Sequence, residues 1–327
     1  MSNNLKVGVI GVGHLGSLHA KMFSQNRDVD FVGIYDIDQV VSKKVAIANN
    51  VKNFSTLDEL ISEVDAANIV TITSEHFTIA KKLLDSGKHI FVEKPITQTP
   101  EEAQILIDLS KKNNLVLQVG HIERFNPAIL ALESYNLNPM FIESHRLAQF
   151  NPRGSDVAVV LDLMIHDLDI ILSLIKSPVS RIDATGVSVV SKSVDIANAR
   201  LQFENGAVAN ITASRISQNK MRKMRLFQEK EYISIDFILG LAEVFKITDD
   251  KATQPTTMLL GKIGEGAVER NIIYERPTVK EINPLQHELE QFVKSITEKI
   301  PVLVTGEDGK RALEVANEII KKIGSSL

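Results

Sequence analysis

Lys94 stands in the tripeptide Glu93-Lys94-Pro95, directly after an apolar run of strand length. If that run is a strand of a parallel sheet, Lys94 follows its carboxyl end, where open α/β sheets bind their ligands. An ammonium group there can hydrogen-bond a reacting oxygen and stabilise the negative charge that develops on it. The alternative is an ordinary surface lysine, because the tripeptide alone is not diagnostic.

A second group of titratable residues occurs in an apolar segment, where Asp162, His166 and Asp169 are spaced i, i+4 and i+7. On the helix predicted over Asp162–Leu174 this spacing puts all three on one face. A carboxylate one turn from a histidine can orient the imidazole and stabilise its protonated form, which suits a general base. A structural pair in the core is the alternative. A shared divalent ion would need a third ligand, and because none is nearby we predict no metal.

Three glycines, Gly11, Gly13 and Gly16, follow the first apolar run with the spacing G-x-G-x-x-G. The first permits a tight turn, the second lets a pyrophosphate approach the backbone, and the third lets helix and strand pack closely. A helix is predicted to begin at His14, and the free N–H groups of its first turn, which includes His14 and Leu15, would point at the phosphates. This context, strand then glycine turn then helix, favours a dinucleotide site over a plain turn.

Asp36 ends the second apolar run, twenty residues after Gly16. A carboxylate at this position can accept hydrogen bonds from the adenosine ribose, and it would repel a 2′-phosphate. Because Ile37 and Asp38 follow it, no adjacent cation offsets that repulsion. The sequence therefore predicts NAD rather than NADP, the alternative being a solvated aspartate in a turn.

Predicted strands and helices alternate over residues 1–120, and these elements must position the residues named above. The predicted strands are apolar and rich in Val and Ile, as is typical of a buried parallel sheet: Lys6–Ile10, Phe31–Tyr35, Ala67–Ile72, His89–Val92 and Leu115–Val119. A helix is predicted over Phe77–Asp85, and Thr99-Pro-Glu-Glu102 reads as a capping box that opens another. We predict a doubly wound α/β domain, a Rossmann fold.

After residue 120 the pattern changes to a second predicted domain, 121–327. Several strand-like segments follow one another without helices between them, and Glu204-Asn-Gly206 is a hairpin signal. Two helices are predicted to end the chain, Pro284–Ile296 and Glu307–Ile323. The expected second domain is an α+β domain with a large open mixed or antiparallel sheet.

Composition excludes several classes of protein. The 327 residues include no cysteine, so disulfides, thiolate zinc sites and cysteine nucleophiles are ruled out. A net charge of -4 argues against nucleic acid or an anionic membrane as partner. No apolar run approaches the ~20 residues of a membrane span, and the start of the chain does not resemble a signal peptide. We expect a cytoplasmic protein that acts on a small molecule.

The segments IGVGHLG, TITSEHFTIAKKLLDSGKHIFVEKPI and DLMIHDLD together resemble the Gfo/Idh/MocA family of NAD(P)-dependent oxidoreductases, over essentially the whole chain. The resemblance implies a Rossmann domain, an open mixed sheet that often forms the oligomer interface (hence a homodimer or homotetramer), and Lys94, Asp162 and His166 as catalytic residues. It also implies three residues near the cofactor: Thr71, Thr73 and His76. We expect Glu93 to position the cofactor side as well. Ile72 stands where the family usually has proline.

The phrases Val119–Pro127, Glu143–Arg146 and Val194–Arg200 resemble a subgroup that oxidises UDP-N-acetylglucosamine at its 3-hydroxyl. That likeness makes Arg124, Asn126 and Arg153 candidates for contacts with the substrate, together with Lys94 and His166. Arg146 and Arg215 are further cations that could meet a diphosphate. Arg124–Pro127 could equally be a structural brace. The alternatives in function are a dehydrogenase of a free sugar or inositol and a non-catalytic NAD(P)-binding regulator.

Overall fold

A computed structural model describes residues 4–151, 157–249, 257–264 and 269–324. Within these ranges six strands form a parallel sheet with the order β3-β2-β1-β4-β5-β6. The strands are β1 (Leu5–Ile10), β2 (Val29–Tyr35), β3 (Lys52–Asn53), β4 (Ala66–Ile69), β5 (His89–Glu93) and β6 (Leu117–Gly120). The strand order reverses between β1 and β4, which is the switch point where doubly wound sheets bind ligands. The predicted Rossmann fold is confirmed.

Helices connect these strands: α1 (His14–Gln25), α2 (Gln39–Asn49), α3 (Leu57–Glu63), α4 (Thr73–Asp85) and α5 (Pro100–Lys112). Side chains before α2, α3 and α5 satisfy N–H groups of their first turns. The predicted capping box of Thr99 and Glu102 is confirmed, since each side chain accepts from the other residue's backbone N–H. By contrast, β4 ends at Ile69, earlier than predicted, so Thr71 and Ile72 lie in the loop before α4.

The second sheet has the order β14-β15-β13-β12-β11-β7-β10-β9-β8 in the described residues. Its strands are β7 (Phe141–Leu147), β8 (Val179–Val187), β9 (Ile196–Phe203), β10 (Val208–Ser214), β11 (Met221–Gln228), β12 (Glu231–Asp236), β13 (Leu241–Thr248), β14 (Thr257–Ile263) and β15 (Arg270–Glu275). Strands β7 and β10 pair in parallel, and the other pairs are antiparallel. The predicted open mixed sheet is confirmed.

One face of this sheet is covered and the other carries a row of aromatic rings. A π-helical turn, Val160–Met164, packs on β10, and α7 (Ile165–Leu174), which continues it, packs on β7. On the other face the rings of neighbouring strands lie with centroids between 5.0 and 5.7 Å apart. We call this row the aromatic ladder: Phe141, Phe227, Tyr232, Phe245 and Tyr274.

The chain forms two compact units that do not follow a single cut in the sequence. The first unit comprises residues 1–122 and 283–314, and the second comprises 123–282 and 315–327. The predicted division at residue 120 therefore differs from the structure over 283–314. Helix α8 (Pro284–Thr297) explains the difference, because its apolar face, including Leu289 and Phe292, joins the core under β1 and β5.

Two short elements, a 3-10 turn (Ile122–Phe125) and α6 (Pro127–Leu130), and the long helix α9 (Gly306–Gly324) complete the description. Helix α9 starts in the first unit, and its residues from Val315 onward belong to the second. None of the helices in the described ranges combines the length and apolar character that a membrane crossing requires.

Candidate active site

The glycine turn after β1 has a separate steric reason for each glycine. Gly11 has a φ of 82°, in the left-handed region, and a Cβ on it would lie 2.7 Å from the carbonyl oxygen of Val70. A Cβ on Gly16 would lie 1.9 Å from the carbonyl oxygen of Gly11. Around Gly13, in contrast, a Cβ would meet no atom within 4 Å. Gly11 and Gly16 therefore close the turn, while Gly13 leaves open space beside the backbone.

Helix α1 begins at this open space with an unsatisfied N-terminus. Gly13 is the N-cap residue and makes no side-chain capping bond, and no acidic residue occupies the first turn. The side chains of His14 and Leu15 are exposed. Free N–H groups and the helix dipole favour an anion at this position. The turn therefore has the shape and the charge that a pyrophosphate requires.

Asp36 is fixed beside the glycine turn, in the loop after β2. Its Oδ2 accepts a 2.7 Å hydrogen bond from the N–H of Val12, and its Oδ1 accepts one of 2.9 Å from Asp38. The following Ile37 is 90% exposed, which is unusual for a large apolar side chain. A held carboxylate next to an exposed apolar side chain suits the ribose and the ring of a nucleoside.

His76 joins the loops that follow β4 and β5. Its Nδ1 lies 2.8 Å from the carbonyl oxygen of Pro95, and its Nε2 lies 3.2 Å from that of Thr71. Burial lowers the pKa of His76, although both carbonyl contacts oppose this. Thr73 is the first residue of α4, and Ile72, the N-cap, is exposed. The structure thus brings Thr71, His76 and Pro95 together at the carboxyl ends of adjacent strands.

Glu93 ends β5 and is almost fully buried, while Lys94 after it is half-buried. The Lys94–Pro95 peptide bond is cis. One carboxylate oxygen of Glu93 lies 3.2 Å from Nε2 of His19, and the other accepts from the N–H of Lys94 at 3.2 Å. The predicted residues Glu93 and Lys94 therefore lie at the end of β5, in contact with a histidine that was not predicted.

Asp162 and His166 lie on one continuous helical run of the second unit. Asp162 is in the π-helical turn, and His166 is in the first turn of α7. Both side chains are half-buried, whereas the intervening Met164 and Ile165 are fully buried. Isolated π-helical turns occur frequently at functional sites. The predicted single α-helix over this segment is thus two helical types joined at residue 165.

Asp169 does not share the environment of His166, because it is paired with Arg124. The Nε and one terminal nitrogen of Arg124 donate to the two carboxylate oxygens of Asp169 at 2.6 and 2.8 Å. Asn126 is also engaged: its amide donates to Glu123 and to the carbonyl of Phe237, and its oxygen caps α6. The structure therefore holds both predicted substrate residues by contacts within the second unit.

Two further arginines that the sequence offered for a diphosphate are held inside the second unit. Arg146 is 2% exposed and donates to Asp167 and Glu123 over 2.7 to 3.0 Å. Burial alone would lower the pKa of Arg146, but the two carboxylates outweigh this and raise it. Arg215, also buried, donates to the carbonyl of Val157. Arg153 lies outside the described residues.

The described residues contain no cluster of three or more His, Asp or Glu side chains that could hold a metal ion. His19 and the buried Asn68 that contacts it were not predicted from the sequence. A signal for His19 does exist, because it occupies the buried stripe of α1 with Gly16, Ala20 and Phe23. A histidine on an otherwise apolar helix face needs a polar partner. That partner, Asn68, lies on another element and could not be read from spacing.

A parallel sheet with a glycine turn, an uncapped helix and a carboxylate just after the second strand is typical of a dinucleotide-binding domain. The sequence matches the oxidoreductase family with an NAD-binding Rossmann fold over residues 5–121 and the GFO/IDH/MocA C-terminal domain over residues 132–234. The chain therefore belongs to the Gfo/Idh/MocA family of oxidoreductases.

Named relatives extend over nearly the whole chain. A UDP-N-acetylglucosamine 3-dehydrogenase of Acidithiobacillus ferrooxidans is 35% identical over 319 residues, which are 97% of this chain and 96% of the relative. A solved structure of such an enzyme from that organism has a TM-score of 0.87, at 34% identity and 98% coverage of both chains. A myo-inositol 2-dehydrogenase of Thermotoga maritima is 25% identical over 94% of this chain and 93% of the relative. These relatives are sugar and polyol dehydrogenases.

Proposed function

We propose that this oxidoreductase oxidises the 3-hydroxyl of UDP-N-acetylglucosamine to a ketone with NAD as acceptor. The observation that carries this proposal is the similarity, over 97% of the chain, to an enzyme named for that reaction. Fold alone would not support it, because one fold serves many substrates. Nicotinamide cofactors and nucleotide sugars are cytoplasmic metabolites, so the proposed reaction belongs in the cytoplasm.

The first unit fits a dinucleotide on structural grounds. Gly13 leaves room for a pyrophosphate, and α1 offers it unsatisfied N–H groups at His14 and Leu15. Asp36 would hold the adenosine ribose through its carboxylate oxygens. Thr71, Thr73, His76 and Glu93 would flank the cofactor from the loops after β4 and β5. When bound, NAD supplies the acceptor for the hydride that leaves the sugar carbon.

NAD rather than NADP is favoured by the surroundings of Asp36. Two backbone N–H groups fix its carboxylate, so the negative charge cannot turn away from the ribose. Asp38, which follows closely, caps α2 with its own carboxylate. A 2′-phosphate would meet both charges, and electrostatic repulsion would disfavour it.

Three residues of this chain would carry the proton chemistry. Lys94 would donate a hydrogen bond to the reacting oxygen and stabilise its developing negative charge. His166 would accept the hydroxyl proton as general base, and Asp162 would orient its ring. The half-burial of all three side chains supports these roles, since each combines access to a ligand with a restricted position.

The candidate substrate contacts divide into two classes. Arg124 and Asn126 make hydrogen bonds to Asp169, Glu123 and Phe237, so we propose that they shape the substrate side of the second unit by bracing it. Arg153 remains the proposed cation for the diphosphate. A guanidinium pairs well with phosphate oxygens because it can bond two of them at once.

We propose a homodimer or homotetramer that forms through the aromatic ladder. The ladder lies on the face of the second sheet opposite to the one on which the π-helical turn and α7 pack, and Phe227 in it is 38% exposed. Large exposed apolar surfaces of this kind are common at protein interfaces. The molar mass in solution, measured by light scattering, tests this.

A polyol such as myo-inositol is the second candidate substrate, and the myo-inositol 2-dehydrogenase of Thermotoga maritima favours it. The test compares initial rates of NADH formation with UDP-N-acetylglucosamine, free N-acetylglucosamine and myo-inositol, with a carbonyl trap present. We expect turnover with the UDP-sugar alone. Equal or faster turnover with myo-inositol would overturn the proposal in favour of the second candidate.

A further inference from the structure

A line of buried polar groups crosses the first unit and ends at Lys94. It starts at Asn68 on β4, continues through His19 on α1, and reaches Glu93 at the end of β5. Asn68 and His19 are fully buried, and Glu93 is 8% exposed. Three polar side chains from three elements in an apolar core are costly unless each has a partner. The placement of Asn68, His19 and Glu93 next to one another therefore indicates a specific role for these side chains.

The direction of the contacts follows from the chemistry of the groups. The amide nitrogen of Asn68, which can only donate, lies 3.1 Å from Nδ1 of His19, so Nδ1 accepts. The ring proton then occupies Nε2, which faces a carboxylate oxygen of Glu93 at 3.2 Å. Asn68 thus sets the tautomer of His19 and leaves the ring proton on Nε2. Nε2 stands in close polar contact with the Glu93 carboxylate, at an angle that falls short of a hydrogen bond.

Glu93 in turn restrains the backbone of Lys94, the proposed catalytic lysine. Its other carboxylate oxygen accepts from the backbone N–H of Lys94. Gly120 on the adjacent strand completes the pocket, because a Cβ there would lie 2.9 Å from the carboxylate. The carboxylate is thereby confined between α1 and β6, with one oxygen on His19 and the other on Lys94.

We infer that His19 is a positioning residue, which, with Asn68, fixes the Glu93 carboxylate and through it the backbone of Lys94. This inference rests on the proposed role of Lys94 in the reaction. Catalysis is sensitive to displacements of about 1 Å in a group that contacts the reacting atoms. A buried histidine that only filled space would need neither the hydrogen bond with Asn68 nor a carboxylate beside its other ring nitrogen.

Kinetics of designed variants test the inference. In His19→Leu the polar contact with Glu93 is lost, and we expect kcat to fall at least tenfold while the Kd for NAD stays within threefold. His19→Gln keeps an N–H donor near the Nε2 position and should recover most of kcat. Phe23→Leu is the matched control, because it removes buried contacts from the same helix face without touching Glu93. In a Lys94→Ala background, His19→Leu should add less than a threefold loss.

A second measurement does not depend on any substrate. Hydrogen exchange of the Lys94 amide in the apoenzyme, resolved by fragmentation of the surrounding peptide, reports its bond to Glu93. We expect exchange at least tenfold faster in His19→Leu, with near wild-type rates in His19→Gln and Phe23→Leu. An unchanged rate in His19→Leu would overturn the inference, even if activity fell. Full turnover in Lys94→Ala would instead contradict the proposed role of Lys94 in the reaction. In that case the exchange rate of the Lys94 amide alone tests whether His19 fixes the backbone at Lys94.

Discussion

Arg124 and Asp169 form a two-pronged ion pair, with hydrogen bonds of 2.6 and 2.8 Å, three residues along the helix from His166. Asp169 is 1% exposed, and the Arg124 side chain is 14% exposed. Paired geometry of this type is among the stronger side-chain contacts in proteins. The pair joins Arg124 of the 3-10 turn to Asp169 of α7, and it therefore helps to fix the position of α7, which carries His166.

Arg124→Ala should destabilise the protein because it leaves the buried carboxylate of Asp169 unpaired. We expect the free energy of unfolding in urea to fall by about 3 kcal/mol. The matched control is Arg181→Ala, which breaks an exposed pair with Asp183 and should cost less than about 1 kcal/mol. Wild-type stability in Arg124→Ala, together with a large rise in KM for the UDP-sugar, would make Arg124 a substrate ligand instead.

Asp36→Ser should shift the preference between the two cofactors. Removal of the carboxylate would take away the proposed acceptor for the ribose hydroxyls and the charge proposed to repel a 2′-phosphate. We expect the ratio of the NAD and NADP dissociation constants to change about tenfold, which corresponds to about 1.4 kcal/mol. Fluorescence titration with both reduced cofactors measures this ratio. An unchanged ratio would remove Asp36 from the cofactor site.

The buried His76 should make stability depend on pH. Burial lowers its pKa in the folded protein, so the unfolded chain binds its proton more readily than the folded chain does. The contribution of His76 is therefore fully present above a pH of about 6.5 and is lost as the pH falls toward the lowered pKa. One proton gives a slope of at most about 1.4 kcal/mol per pH unit.

Urea unfolding between pH 5 and 8 measures that slope, with His76→Gln as the comparison. The variant should lose stability less steeply on acidification than the wild type. His89, whose pKa is lowered mainly by burial, should contribute a further slope that persists in the variant. Parallel curves for wild type and His76→Gln would contradict the neutral, buried state of this ring.

Lys94→Ala and His166→Ala test the assigned chemistry. Loss of a positioned proton-transfer group typically costs ~10²-fold or more in turnover. We expect such a loss of kcat in each variant, with the Kd for NADH within a few-fold of wild type. Lys81→Ala is a matched control, because it removes an exposed lysine that pairs with Asp85 in the same unit. Near-normal kcat in both site variants would contradict the roles.

Local sequence signals predicted much of the first unit and the residue types of the site. The glycine turn, the Thr99 capping box and the apolar strands are each encoded within a few residues, so their patterns are readable without tertiary information. The placement of Asp36 and Lys94 after strands followed from the same patterns. The contact of Glu93 with His19 was not predicted, because the two residues lie on different elements.

Features that depend on distant partners could not be predicted. Strand β7 has the polar residues Ser144 and Arg146 on its buried side, so its sequence lacks the apolar and polar alternation of a half-buried strand. Arg146 can be buried there because it pairs with Asp167 and Glu123. Helix α8 is plainly amphipathic, but its sequence does not say which core it joins. Asp169 has the helical spacing that would place it on one face with Asp162 and His166. Its carboxylate is instead paired with Arg124, 45 residues away in the sequence.

The central claim is that the sugar is oxidised at its 3-hydroxyl, and an isotope measurement tests it directly. UDP-N-acetylglucosamine that carries deuterium at C3 is incubated with the purified enzyme, NAD and a carbonyl trap, and the products are analysed by mass spectrometry. We expect reduced cofactor that carries one deuterium and a trapped UDP-sugar ketone that has lost it. Deuterium that stays in an oxidised sugar, or no oxidation of the UDP-sugar while myo-inositol is oxidised, would contradict oxidation at the 3-hydroxyl.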